Sequence, residues 1–289
     1  NNIVDATNIV MYDCGQPCHA FDLAKLSAEK IVITNPKEGM ELPVVGRDAI
    51  VAKLKDTDIV IIDGEKNLAL GGVKGGLDSG ICDTTTDIVL EVANFDPVAV
   101  RKTARRLGLL SDSAKRFEND LSPSLCDFGM LELTGMILEI LPESTFEDVV
   151  DIYPTKQEER TLKFSKSYID NILGTEVPEN DISNILMRYG FQYKEENGEY
   201  NVFVPLLRLD LMNREDMAEE IGRIYGLDKI KGIVPITKGD SNKNEVYEKI
   251  VNARNALVGA EYKEVMTYTF VDKGDIEVLA SASDKKFLR

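Results

Sequence analysis

Residues 88–107 leave the backbone little choice. Ile88-Val-Leu-Glu-Val92 is a short run of β-branched and aliphatic residues and reads as a covered strand. Asp96 and Pro97 follow as a helix cap and first-turn pair, and Gly108 stops the helix they open. That helix carries Arg101, Lys102, Arg105 and Arg106. A strand end feeding a helix is a common address for ligands, and Glu91 is the one carboxylate inside the apolar run. From the residues alone Glu91 has two readings: a group that reads a ligand, or a carboxylate paired with a buried arginine or a backbone amide.

Around this stretch the first half of the chain is mostly short β-rich runs broken by turn residues, at 31–34, 49–52, 59–62 and 68–71. A helix over 122–141, opened by a Ser-Pro pair, completes an α+β domain over residues 1–155, with a linker at 151–159. The second unit, residues 156–238, has short amphipathic helices at 167–173 and 181–189, stopped by Gly174 and Gly190. A hairpin over 191–205 follows, turning at Asn197-Gly198. Helices followed by a hairpin suggest a winged-helix-like module. Its acidic residues outnumber its basic ones, which favours a protein-binding or structural role over nucleic-acid binding. Residues 239–289 start a third unit, with a helix at 246–257 and a strand at 264–271.

The formal net charge of -16 over 289 residues excludes broad, sequence-independent nucleic-acid binding, so any RNA contact is local. The local candidate is the basic island of Arg101, Lys102, Arg105 and Arg106 with Lys115 and Arg116; a solvated helix face is the plainer alternative. No apolar run approaches membrane-spanning length. Four irregularly spaced cysteines fit reduced thiols in a cytoplasm, and a start at Asn1 suggests a piece of a longer polypeptide.

Three further constellations can carry chemistry. His19 is the single histidine, beside Cys18; no second Cys or His pair lies near enough in sequence to close a zinc tetrahedron, so it reads as a structural or proton-handling group. Residues 68–80 hold five glycines but match neither the phosphate-loop nor the dinucleotide spacing, which leaves close backbone approach to a ligand, or a plain turn cluster. Asp216, Glu219 and Glu220 share one helical turn with Asp210 just upstream, a set of hard oxygens suited to magnesium or else a solvated acidic first turn.

Val4-Asp-Ala-Thr-Asn8, Gly15-Gln-Pro-Cys-His-Ala-Phe-Asp22, residues 68–80, residues 91–107, and Val204-Pro-Leu-Leu-Arg-Leu-Asp210 through Arg223-Ile-Tyr-Gly-Leu-Asp228 occur in the order of one family's signatures. Over nearly its whole length the chain resembles the middle of the bacterial-type β subunit of phenylalanyl-tRNA synthetase. The resemblance implies an editing domain that hydrolyses tyrosine misattached to tRNA(Phe), then the winged-helix-like domain, then the start of an inactive synthetase-like domain. It implies Glu91 as reader of the tyrosyl hydroxyl, and Gly72, Gly75, Ser111 and Ser113 around the amino acid. Thr7, Asn8 and His19 fall near the terminal adenosine and the ester, and Arg101, Lys102, Arg105, Arg106 and Arg116 at the acceptor end of the tRNA. It also implies a magnesium ion at Asp210, Asp216, Glu219 and Glu220, shared with an α subunit whose own site uses ATP, a heterotetramer in the cytoplasm, and neither DNA nor membrane as partner.

The chain departs from the family pattern at Ser113, where a small alanine is usual, and at Asn119-Asp120, where Arg-Gly is usual. Ser113 is expected to narrow the pocket and Asp120 to disturb a turn. A non-catalytic scaffold with a dead pocket is the competing reading, and a free-standing editing protein a weaker one.

Overall fold

Asn1 accepts the Ile3 amide through its side chain at 3.0 Å and so starts α1 (Asn2–Cys14), which Gly15 ends at a φ of 88°. A computed structural model describes residues 1–27, 30–46, 50–64, 66–236, 244–272 and 274, in two compact units, 1–231 and 232–289. After α1 come β1 (Cys18–Asp22), β2 (Ile31–Thr34), β3 (Glu41–Val44), β4 (Ile50–Lys53), β5 (Val60–Asp63), β6 (Lys66–Leu70), β7 (Lys74–Gly75) and β8 (Ile88–Val92). Three helices follow: α2 (Pro97–Leu107), α3 (Asp112–Phe117) and α4 (Leu125–Ile140). The pairing is antiparallel throughout: a sheet of order β2-β5-β6-β7, a β3-β4 hairpin and a β1-β8 ribbon.

The ribbon separates two apolar clusters. Successive side chains of a strand alternate faces and opposed residues share one. Cys18, Ile88, Leu90 and Val92 accordingly pack with Ala6 and Val10 of α1 and Leu133 and Ile137 of α4. Phe21 and Val89, on the other face, join the main core of Leu54, Leu68, Leu70, Val100 and Phe117.

Residues 141–159 form no helix or strand. Beyond them lie β9 (Arg160–Ser165), α5 (Lys166–Leu173), α6 (Glu179–Arg188), β10 (Gln192–Glu196), β11 (Glu199–Val204) and α7 (Arg214–Tyr225), which share a separate core around Ile169, Ile182, Leu186, Tyr200, Met217 and Ile221. Asn197 and Gly198 both take positive φ, 53° and 77°, as a tight hairpin turn requires. The hairpin is not alone: β9 pairs with β11 and makes a three-stranded sheet.

In the second unit α8 (Glu245–Gly259) forms where a helix is expected. The strand expected over 264–271 does not: those residues are irregular, with Met266 99% and Phe270 94% exposed. A strand is held by a ladder partner, and none pairs with this segment among the described residues. Residues 239–243, 273 and 275–289 of the expected third unit, and Ala49 of the expected strand at 49–52, lie outside the described residues. No described helix is long and apolar enough to cross a membrane, and all four cysteines are free thiols.

Candidate functional site

In the β1-β8 register His19 stands directly opposite Glu91. Both therefore project from the face of the ribbon that also carries Phe21, whose ring meets the His19 imidazole edge-on at a centroid distance of 4.6 Å. No described cation or hydrogen-bond donor pairs with the Glu91 carboxylate. Desolvation alone pushes it up to about 7. The same burial pushes His19 down to about 4, so its imidazole is neutral at neutral pH, and its Nε2 is buried with no hydrogen-bond partner. An unpaired carboxylate and an unpaired ring nitrogen on one face are polar capacity held open, which is costly unless a ligand uses it. Cys18 points to the opposite, helix-covered face, and burial raises its thiol to about 12, which rules it out as a nucleophile.

The glycine loop closes against this face. A Cβ on Gly75 would stand 2.6 Å from His19 Cε1 and 2.8 Å from Nε2, so backbone without a side chain is what fits beside the ring. Gly72 takes a φ of 70°, and a Cβ there would meet Val100 Cγ2 at 2.8 Å. Two hydroxyls from the start of α3 hold the loop. Ser111 Oγ donates to the Val73 carbonyl at 2.6 Å while accepting the Ala114 amide as helix cap, and Ser113 Oγ donates to the Gly72 carbonyl at 3.2 Å. The Ser113 hydroxyl is therefore spent on the loop backbone. Asp120 keeps the turn expected of glycine by adopting a φ of 63°.

Other expected site residues are placed differently. Thr7 is buried in α1 and donates to the Val4 carbonyl at 2.8 Å, and Asn8 is exposed on the same helix; no hydrogen bond ties either to His19 or Glu91. Arg101 and Arg105 share Glu118, at 3.4 and 3.9 Å, and Lys102 is exposed. Arg106 turns inward, with its guanidinium 2.5 Å from the carboxylate of buried Asp58, which also accepts the Thr103 hydroxyl. Arg116 lies over the Tyr12 ring at 4.9 Å and donates to the Asp112 carbonyl.

The four carboxylates of the expected magnesium quartet do not converge in this chain by itself. Asp210 holds Arg208 in a two-point pair at 2.8 and 2.6 Å, and Glu220 is paired with Arg208 and Arg223 at 2.5 and 2.6 Å. Asp216 accepts the Met212 and Asn213 amides in a capping box, and Glu219 is exposed. Among the described residues no group of three or more His, Cys, Asp or Glu side chains comes together to hold a metal. Arginines pair with two of the four carboxylates and backbone amides engage a third, so in the chain alone the quartet is dispersed among internal partners.

Residues 1–142 match the B3/4 domain family and residues 162–227 the tRNA synthetase B5 domain family. The phenylalanine–tRNA ligase β subunits of Thermotoga maritima, Clostridium tetani and Rhodopirellula baltica are 38%, 34% and 37% identical over 96%, 94% and 94% of this chain. The chain belongs to the phenylalanine–tRNA ligase β-subunit family. It spans 35%, 34% and 40% of those three relatives. An N-terminal fragment of the phenylalanyl-tRNA synthetase β subunit from Pyrococcus horikoshii aligns over 76% of this β-subunit segment and 64% of its own length, at 12% identity and a TM-score of 0.38.

Gln16 and Gly129 drew no role from the β-subunit sequence, yet they buttress the ribbon from its far end. The available signal was a polar residue fixed next to a proline in Gly15-Gln-Pro17.

Proposed function

We propose that this chain is the editing part of a phenylalanine–tRNA ligase β subunit and hydrolyses tyrosine from misacylated tRNA(Phe). The observation that carries the reading is the opposition of Glu91, which has no ion pair among the described residues, and His19, whose Nε2 has no hydrogen-bond partner, on one ribbon face beside a side-chain-free glycine loop. A synthetic pocket for phenylalanine rejects an added hydroxyl poorly, about a hundredfold, so a second site that demands the hydroxyl is useful. Glu91 makes that demand: a tyrosyl hydroxyl satisfies its part-buried, desolvated carboxylate, and a phenylalanyl ring leaves it unpaired.

The reaction is addition of water to the ester carbonyl, cleavage of the bond to the ribose oxygen, and return of the proton to that oxygen. Neutral His19, with Nε2 unoccupied, orients the water or relays the proton, together with the terminal ribose hydroxyl of the tRNA. Gly72 and Gly75 give the substrate close approach to backbone. Arg101, Lys102 and Arg105 on the outer face of α2 meet acceptor-end phosphates, and Arg106 acts as scaffold. The winged-helix-like region supports an α subunit that performs the ATP-dependent aminoacylation, in a cytoplasmic heterotetramer. No step runs through magnesium on this chain.

Deacylation assays in the αβ enzyme test the reading. Parent enzyme is expected to release tyrosine from Tyr-tRNA(Phe) far faster than phenylalanine from Phe-tRNA(Phe), and Glu91→Ala to erase the preference. Undiminished tyrosine preference in Glu91→Ala contradicts it. A scaffold with a dead pocket would instead hold Glu91 in an internal ion pair, and no described residue supplies one.

A further inference from the structure

The β1-β8 ladder ends at the pair Cys18 and Val92. One step further, residue 17 would face residue 93, but Pro17 has no N–H to continue the ladder. The Gln16 side chain fills the gap. Its Nε2 donates to the Pro17 carbonyl at 2.9 Å and to the Ala93 carbonyl at 2.9 Å, while its Oε1 accepts from Cys126 Sγ at 3.8 Å. Gln16 is 0% exposed, so these bonds are made without competition from water. Helix α4 is cut away to admit it: a Cβ on Gly129 would stand 2.6 Å from Gln16 Cγ and 3.4 Å from Val92 Cγ1.

We propose that Gln16 is the positioning residue of the site, supplying the rung that Pro17 cannot and so keeping His19 opposite Glu91. The two bridged carbonyls lie two residues before His19 and two residues after Glu91, at the open end of a ribbon only five pairs long. A slip of one residue in either strand turns its side chains to the opposite face, so this end is where register is most exposed to loss. Gln16 touches neither His19 nor Glu91 by hydrogen bond and acts through the backbone that carries them. The assignment rests on the reading of Glu91 and His19 as the editing pair, but its decisive readout does not.

His19 is the single histidine of the chain, so its imidazole resonances report this site directly in an NMR pH titration. The parent midpoint is expected at about 4. Gln16→Met keeps the side-chain length and removes both donors. Gly129→Ala pushes Gln16 out from the helix side without altering its amide. Both are expected to raise the His19 midpoint to about 5 or above, toward its ordinary value, as the ring gains water. In the αβ enzyme both are expected to lower the tyrosine-over-phenylalanine deacylation ratio by about tenfold or more. Leu133→Ala, a cavity one turn along the same helix that leaves the Gln16 hydrogen bonds intact, is expected to lower Tm and leave the His19 midpoint in place. Folded variants at positions 16 and 129 that both titrate like the parent overturn the proposal, as does an equal shift in Leu133→Ala. If Gln16→Met does not fold, Gly129→Ala decides the matter by the same criterion. A shifted midpoint in an enzyme that never preferred the tyrosyl ester would uphold the positioning role and overturn the editing reading instead.

Discussion

Glu91 spends folding stability at neutral pH, and the sign of that expense is measurable. Its carboxyl titrates near 4.5 when solvated and at about 7 in the fold, so the folded state holds its proton more tightly. Stability from this group is therefore present below pH 4.5 and lost as pH rises through 7. Glu91→Gln removes the charge and is expected to raise the unfolding free energy at pH 8 by about 2 to 3 kcal/mol while changing it little at pH 4, read by urea denaturation. His19 works the other way: its folded value of about 4 lies below 6.5, so its contribution is lost as pH falls between the two. Arg106 belongs to the same scale. Removing it in Arg106→Ala leaves the buried Asp58 carboxylate with the Thr103 hydroxyl and the Lys55 amide but without its cation, and is expected to cost about 3 kcal/mol in the same assay, a loss that exposed Lys102→Ala does not share.

The elements that sequence periodicity marks are those with strong local signals. Strands β2, β5, β6 and β8 formed within a residue or two of their aliphatic runs, and α2 begins and ends at Asp96 and Gly108, as its cap residues require. Strand β1 was hidden because Cys-His-Ala-Phe-Asp has no aliphatic alternation; β8 and the helices behind it make it a strand. Helix α1 is hidden because Val4 and Ile9 put apolar residues on its exposed face and blur its period, and α3 because six residues are too few for a period. Glu91 was legible, since a carboxylate in an aliphatic run is conspicuous; its opposition to His19 was not, because register between strands some seventy residues apart is a tertiary fact. At this scale the loop after α3 offers a test. Asp120 holds a left-handed backbone that favours glycine, so Asp120→Gly is expected to stabilise the chain by about 1 kcal/mol, seen as a higher Tm.

Across the whole molecule, charge and site pull in different directions. A chain of net charge -16 that meets RNA must do so through a small cationic surface, and Glu118 already neutralises part of it by bridging Arg101 and Arg105. The acidic quartet, which the family resemblance makes a magnesium site shared with an α subunit, is tied within this chain to arginines and to a helix terminus. Spacing along a helix places carboxylates on a face; it says nothing of the guanidinium that Arg208 brings from outside the helix. Whether one ribbon face selects a phenolic hydroxyl is tested most directly by NMR of the His19 ring during amino-acid titration. Tyrosine is expected to shift the His19 resonances at concentrations where phenylalanine does not, and Glu91→Gln to abolish the difference. Equal shifts from the two amino acids, or none from tyrosine, would contradict that selection.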